Sequence, residues 1–213
     1  MADIQVFPSC VALLGDLVSS RSGDRAQSHE AVLAAIEETN ANVPQLDALR
    51  VTVGDELQGV YASLGDAFRA SLELRNRLAG TVDVRFGFGG GKVRILDEAR
   101  GIQDGPAWSL AREAIDAAKA LAAEPGRQGL RTAVRDGRDV ANPLTEPLSQ
   151  LIDTHLGRLR ARPRATFTAL WDGLDNQTTA HLLGITPSAN SQRVTGNQLR
   201  SLLTAARALA ALP

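Results

Sequence analysis

Three carboxylates in the first third of the chain have the types and spacing to hold a phosphate-bearing ligand through a cation. Asp16 ends the apolar run Cys10-Val-Ala-Leu-Leu-Gly, and Asp55 and Glu56 follow Gly54 in a tight turn between two alternating segments. Like charges brought to one spot need a cation or protons between them. A hard divalent ion such as Mg²⁺ suits this chemistry, because it takes oxygen ligands and keeps phosphate oxygens in its shell. Arg21 and Arg25, with the backbone amides of the polar stretch around Ser19 and Ser20, are suited to holding those phosphates. Strand-end Asp and turn Gly-Asp are also ordinary turn formers, which is the plainer reading of the same residues.

A second group of residues suits nucleic acid. The run Gln177 to Val194 has the anatomy of a helix-turn-helix: Ala180 is small where two helices cross, Gly184 follows where the turn needs a positive φ, and Leu183 and Ile185 bracket it as core residues. Thr186 and Pro187 then supply an N-cap and a first-turn proline for the next helix. On that helix Ser188, Ala189, Ser191, Gln192 and Arg193 lie on or near the exposed face, where Gln pairs with adenine and Arg with guanine in a major groove. Arg158, Arg160, Arg162 and Arg164 precede the module and suit phosphate contacts. The plainer reading is an αα-hairpin used for protein packing.

These groups need elements to position them. Strands are expected at 10–15, 49–53, 57–61 and 82–88 and helices at 26–39, 64–78 and 106–123, with Gly54 in a hairpin turn and Gly80 closing the second helix. The order βαββαβ is the split βαβ unit of the ferredoxin-like fold, with the first and third strands side by side at the centre of an antiparallel sheet. That topology brings Asp16 next to the Asp55–Glu56 turn. Residues 124–143, rich in Pro, Gly and Arg, are expected to be a linker. From 144 to 213 the pattern is helical, and the last helix carries Leu199, Leu202, Leu203, Ala206 and Leu209 on one face, to pack on the helix-turn-helix or on a partner subunit.

Composition bounds the rest. The 213 residues are 44% hydrophobic with a net charge of −1, enough for a real core. The charge is uneven: residues 148–213 hold seven Arg against three Asp, a local +4 that suits a polyanion partner and equally a solvated Arg-rich helix surface. A single cysteine, Cys10, excludes an internal disulfide, and three scattered histidines leave no zinc cluster. The N-terminus lacks a basic and apolar leader and no window is apolar enough to span a membrane, so a cytoplasmic protein is expected.

Five blocks carry a resemblance: Ala12-Leu-Leu-Gly-Asp-Leu-Val-Ser-Ser-Arg21, Asp24-Arg25, Val51-Thr-Val-Gly-Asp-Glu-Leu-Gln-Gly59, Arg85-Phe-Gly-Phe-Gly-Gly-Gly91 and Asp104-Gly-Pro-Ala-Trp-Ser-Leu-Ala-Arg112. Together they resemble the SatD family over roughly residues 10 to 120. More distantly they are similar to class III nucleotidyl cyclases, whose palm domain carries one metal Asp at the end of its first strand and another in the next hairpin. The resemblance implies that Asp16 and Asp55 are the metal aspartates, with Mg²⁺ the implied ion, and adds Arg85 and Asp104 to the nucleotide- and phosphate-binding candidates. It also shows what is missing: Val51 stands where adenylyl cyclases carry a base-reading Lys, Ser109 stands where their transition-state Asn belongs, and Arg112 is one residue out of register. In the helix-turn-helix, which is similar to that of sigma factors and many bacterial regulators, Asn190 stands where a Val or Ile is usually buried.

The sequence therefore reads as an α+β protein, a ferredoxin-like cyclase-type palm at 1–123 followed by an all-α helix-turn-helix domain at 144–213. The function expected is that of a DNA-binding regulator whose palm senses a nucleotide or cyclic (di)nucleotide, working as a homodimer, with no catalytic residue assigned. The alternatives are a Mg²⁺-dependent nucleotidyl cyclase or related phosphoryl-transfer enzyme, and an adaptor whose helical tail binds protein.

Overall fold

A computed structural model describes residues 5–18, 25–52, 54–97 and 100–213. Its elements run β1 (Gln5–Val18), α1 (Arg25–Asn42), β2 (Asp47–Val51), β3 (Glu56–Tyr61), α2 (Leu64–Arg77), β4 (Asp83–Asp97), β5 (Ile102–Asp104), α3 (Pro106–Ala123), β6 (Thr132–Asp136), α4 (Thr145–Arg158), α5 (Ala161–Trp171), α6 (Asn176–Leu182), α7 (Pro187–Gly196) and α8 (Leu199–Leu209).

The sheet has the order β2-β3-β1-β4-β5, and β1 pairs antiparallel with both β3 and β4. This is the split βαβ arrangement that the element order implies. Gly54, at φ +72°, makes the β2–β3 turn with a backbone that side chains rarely adopt. Successive residues of β1 point to opposite faces: Val11 and Leu13 pack with α1 and α2, whereas Cys10, Ala12 and Leu14 pack with α3. Both faces of β1 are covered, which is why its sequence is a continuous apolar run. Burial pushes the Cys10 thiol up to about 11, so it behaves as a small core residue.

β4 is longer than its alternation suggests, because Gly89, Gly90 and Gly91 continue the strand. The reason lies in α3. Its buried stripe Ala107, Ala111, Ala114 and Ala118 lets the helix backbone sit directly on β4. A Cβ on Gly87 would stand 2.4 Å from the Ile115 nitrogen, and one on Gly89 2.0 Å from the Ala107 carbonyl oxygen. Gly87 and Gly89 thus serve close backbone approach.

Past α3 the structure departs from the expected linker. Residues 132–136 form β6, which joins the edge of the sheet parallel to the first half of β4, while β5 pairs with its second half. A five-residue strand containing Arg and Asp has no periodicity of its own, and pairing with β4 supplies what its sequence does not announce.

The helical region shares the core of the sheet domain. Ile152, Leu156, Phe167, Leu199, Leu202, Ala206 and Leu209 belong to the same buried cluster as Val11, Phe68 and Phe88. Near the C-terminus, Pro213 O and Leu212 O accept from Leu64 N and Gly65 N at 3.1 and 3.0 Å, satisfying free amides in the first turn of α2. The stripe on α8 is thus buried within the chain rather than left for a partner. No helix among the described residues is long and apolar enough to cross a membrane.

Candidate functional site

Strand pairing places Asp16 opposite Glu56 on one side and Arg85 on the other, and Leu17 N donates to Asp55 O at 3.4 Å. The expected juxtaposition at the hairpin therefore forms, but it does not gather three free carboxylates. Asp16 lies on the face covered by α3, and its Oδ2 is 3.4 Å from both Arg85 Nη1 and Lys119 Nζ. Both oxygens of Glu56 accept from Arg112, at 2.7 and 3.0 Å, and that bidentate pairing holds the Glu56 carboxyl below its ordinary range. Asp55 is exposed in the turn.

Two carboxylates are therefore met by three cations, so the repulsion that calls for a divalent ion is already relieved. One carboxylate oxygen, Asp16 Oδ1, is buried without a hydrogen-bond partner, and Arg85 Nε beside it is likewise unpartnered. Among the described residues no group of three or more His, Cys, Asp or Glu side chains is arranged to hold a metal. A single open oxygen among cations does not fit Mg²⁺, which demands near-octahedral oxygen coordination. Lys119 is the residue the sequence reading missed. Its spacing of seven from Arg112 on an alanine-rich helix was the available signal, since that spacing returns to one face.

If this cluster is a structural ion lattice, Asp16→Asn leaves Arg85 and Lys119 partly uncompensated and destabilises the fold by about 1–3 kcal/mol, measurable by urea denaturation. A cluster of mutually repelling carboxylates would respond in the opposite sense, with unchanged or increased stability.

Other candidates scatter. Asp104 is removed from the site: it ion-pairs with Arg94, nine positions along β4 from Arg85, about 30 Å at strand rise. Ser19, Ser20 and Arg21 lie outside the described residues, as does the side chain of Arg25.

The second group forms two short helices joined by a turn. Asp175 caps α6, its carboxylate accepting from Thr178 N at 2.8 Å, and the helix is followed by a turn where Gly184 has φ +62° and Ile185 N donates to Ala180 O at 2.9 Å. Thr186 caps α7 by accepting from Ala189 N at 3.1 Å, with Pro187 in the first turn. Ala180 is buried at the crossing, while Leu183 and Ile185 are only half-buried. Thr186, Ser188, Ser191 and Gln192 are exposed, and Ala189 and Arg193 are half-buried.

Asn190 is fully buried without loss, because its side chain is paired at both ends. Its Oδ1 accepts from Thr166 Oγ1 of α5 at 3.1 Å, and its Nδ2 donates to Asn176 Oδ1 of α6 at 3.0 Å. A polar link among three helices replaces the usual aliphatic contact.

Arg164 is a correction to the phosphate-contact set. Arg158, Arg160 and Arg162 are exposed, but Arg164 turns inward and donates from Nε to Asn76 Oδ1 at 3.1 Å. It stands three residues before the fully buried Phe167 in α5, a spacing that puts both on the inner face of the helix.

The fold is a cyclase-like α+β domain with a mixed sheet, followed by an all-helical region. Residues 10–126 match the SatD family, more than half of the chain, and the chain belongs to that family. Solved structures similar to it include the guanylyl cyclase domain of the RhoGC fusion protein from the aquatic fungus Blastocladiella emersonii, at 13% identity and a TM-score of 0.43 over 54% of this chain and 78% of that one. The adenylate/guanylate cyclase/hydrolase from Silicibacter pomeroyi is similar at 16% identity and a TM-score of 0.41, over 52% of this chain and 70% of that one. A regulator of polyketide synthase expression from Bifidobacterium adolescentis is similar over 95% of this chain and 84% of that one, at 16% identity and a TM-score of 0.28. No curated protein sequence matches the chain.

Proposed function

We propose that this chain is a DNA-binding transcriptional regulator in which α7 reads the major groove and the cyclase-like domain senses a small nucleotide-type effector. The observation that carries the reading is the division of α7 into two faces. Asn190 and Val194 are buried against the neighbouring helices, whereas Ser188, Ser191 and Gln192 face solvent and Arg193 is half-exposed beside them. This outer face offers hydrogen-bonding groups and no carboxylate, as a helix entering a groove lined by phosphates requires. Exposed Arg158, Arg160 and Arg162 at the α4–α5 junction support it with positive charge.

Two copies acting on two half-sites would supply the contacts that one short reading helix lacks. Leu144 and Leu151 of the α4 region remain exposed and are available to such a pairing. The alternative of a Mg²⁺-dependent cyclase has less to rest on. Arg112 is engaged by Glu56, Asp16 is held by Arg85 and Lys119, and Val51 and Ser109 stand at the positions of the base-reading and transition-state groups.

The test compares arginines in the full-length protein. Arg193→Ala is expected to reduce discrimination between a selected duplex and random DNA by about 1–3 kcal/mol if it reads a guanine. Arg162→Ala is expected to weaken binding to both duplexes alike and to lower the salt slope by about 1. Gel-shift titrations at several salt concentrations measure both. An Arg193→Ala protein with undiminished discrimination removes the assigned reading role of that arginine.

A further inference from the structure

The C-terminal end of α2 and the start of β4 face α5 and the end of α6 across a groove with a volume of about 1050 Å³. Its size is at the upper end of small-molecule pockets. Three arginines line it. Arg75 is ion-paired with the buried Asp153, and Arg131 with Asp83 at 2.5 Å. Arg164 has no carboxylate within ion-pairing distance among the described residues. Its Nε donates to Asn76 Oδ1, and its Nη2 donates to the Arg75 carbonyl at 3.4 Å.

A guanidinium withdrawn from water without a counter-ion is a cost that the fold carries without visible structural return. Burial and the neighbouring Arg75 charge pull its pKa down to about 10, against the opposing pull of Asp83 and Asp153. Asp172, the other carboxylate of the lining, has its pKa raised by burial and is countered by Arg77.

Two further donors in the lining are idle. Asn76 Nδ2 and Arg75 Nε are buried without a hydrogen-bond partner, although Asn76 is only 8% exposed and the Arg75 side chain 9%. Buried donors left unpaired are costly, and donors together with an uncompensated cation call for the same missing group, an oxyanion. The lining also includes the apolar Leu159, Ala165 and Leu183.

We propose that this groove binds a small organic anion, its phosphate or carboxylate on Arg164 and Asn76 and its apolar body against Leu159 and Leu183. The proposal rests on the reading of the chain as an effector-sensing regulator, and it moves the effector from the Asp16 cluster to the junction between the sheet domain and the reading head. Arg164 lies on α5 two residues before Thr166, whose hydroxyl holds Asn190 of α7, so the anion would bind the same helix that carries the polar link to the reading helix. Asn76 is the telling residue. An aspartate there would accept the same Arg164 hydrogen bond, remove the idle amide and neutralise the guanidinium, yet the chain keeps the amide and leaves the charge available.

The test uses thermal unfolding of the full-length protein with AMP, cyclic AMP, benzoate or inorganic phosphate, against sodium chloride at equal ionic strength. At about 100 times its Kd a bound anion is expected to raise Tm by about 5–10 °C. A response to AMP or cyclic AMP identifies a phosphate ligand, and a response to benzoate a carboxylate. Asn76→Asp is expected to raise the ligand-free Tm and abolish the response, and Arg164→Met, which removes the unpaired charge, is expected to abolish it too. The proposal is overturned if none of the four probes raises Tm above the chloride control, if either variant retains the response, or if Asn76→Asp lowers the ligand-free Tm. A saturable anion response in a protein that binds no DNA would leave the groove standing and remove the regulator reading.

Discussion

Asp153→Asn is expected to cost about 3–5 kcal/mol of folding stability, the effect of breaking a buried charge network from one side. Asp153 is 1% exposed on α4, and its carboxylate reaches three other parts of the fold. One oxygen pairs with Arg75 of α2 and accepts from Thr132 Oγ1 of β6 at 3.3 Å, and the other accepts from Arg131 N at 2.8 Å. Asparagine keeps the shape but turns one acceptor into a donor and leaves Arg75 buried and unpaired beside Arg164, whose charge already opposes it. The helical region should loosen from the sheet domain first. Urea denaturation followed by both tryptophan fluorescence and circular dichroism measures this, and a loss below about 1 kcal/mol would show that Asp153 does not tie the two regions together.

The second large effect is steric. Gly89→Ala would place a methyl group 2.0 Å from the Ala107 carbonyl oxygen and 2.3 Å from the Ala111 nitrogen, both backbone atoms of α3. Neither can give way alone, so α3 must lift from the sheet, at about 3 kcal/mol by analogy with overpacked cores. Gly91 is an internal control, because a Cβ there meets its nearest atom, the Ala107 nitrogen, at 3.2 Å. Gly91→Ala is expected to cost less than about 1 kcal/mol. Equal losses in the two variants would mean that strand flexibility, rather than helix approach, explains the glycines.

The apolar run of β1, the Gly54 turn and the cap-and-turn chemistry of Gly184, Thr186 and Pro187 are local signals, and the structure contains each of them. The topology that sets Asp16 against Glu56 followed from element order alone. The charges that surround Asp16 did not, since Lys119 comes from a helix about a hundred residues away in the chain and no local pattern reports that contact.

The same limit explains Arg164 and α8. Four arginines spaced two apart look like one basic stripe, but Arg158 ends α4, Arg160 precedes α5, and within α5 that spacing turns Arg162 and Arg164 to different sides, with Arg164 on the inner one. The leucine stripe of α8 shows that a partner surface is needed without saying which, and the sheet domain's own core supplies it. β6 was invisible for the reverse reason, as a short polar strand whose stability comes from the edge it joins.

The central claim is that the outer face of α7 reads DNA sequence. Its most direct test is selection of duplexes from a random pool by the full-length protein, followed by measurement of the affinity ratio between an enriched duplex and its shuffled sequence at about 150 mM salt. The account predicts an enriched motif bound at least about 1,000-fold more tightly than the shuffled duplex, with affinity falling linearly in log salt. Equal affinity for the two duplexes, or no binding even at about 50 mM salt, would contradict it.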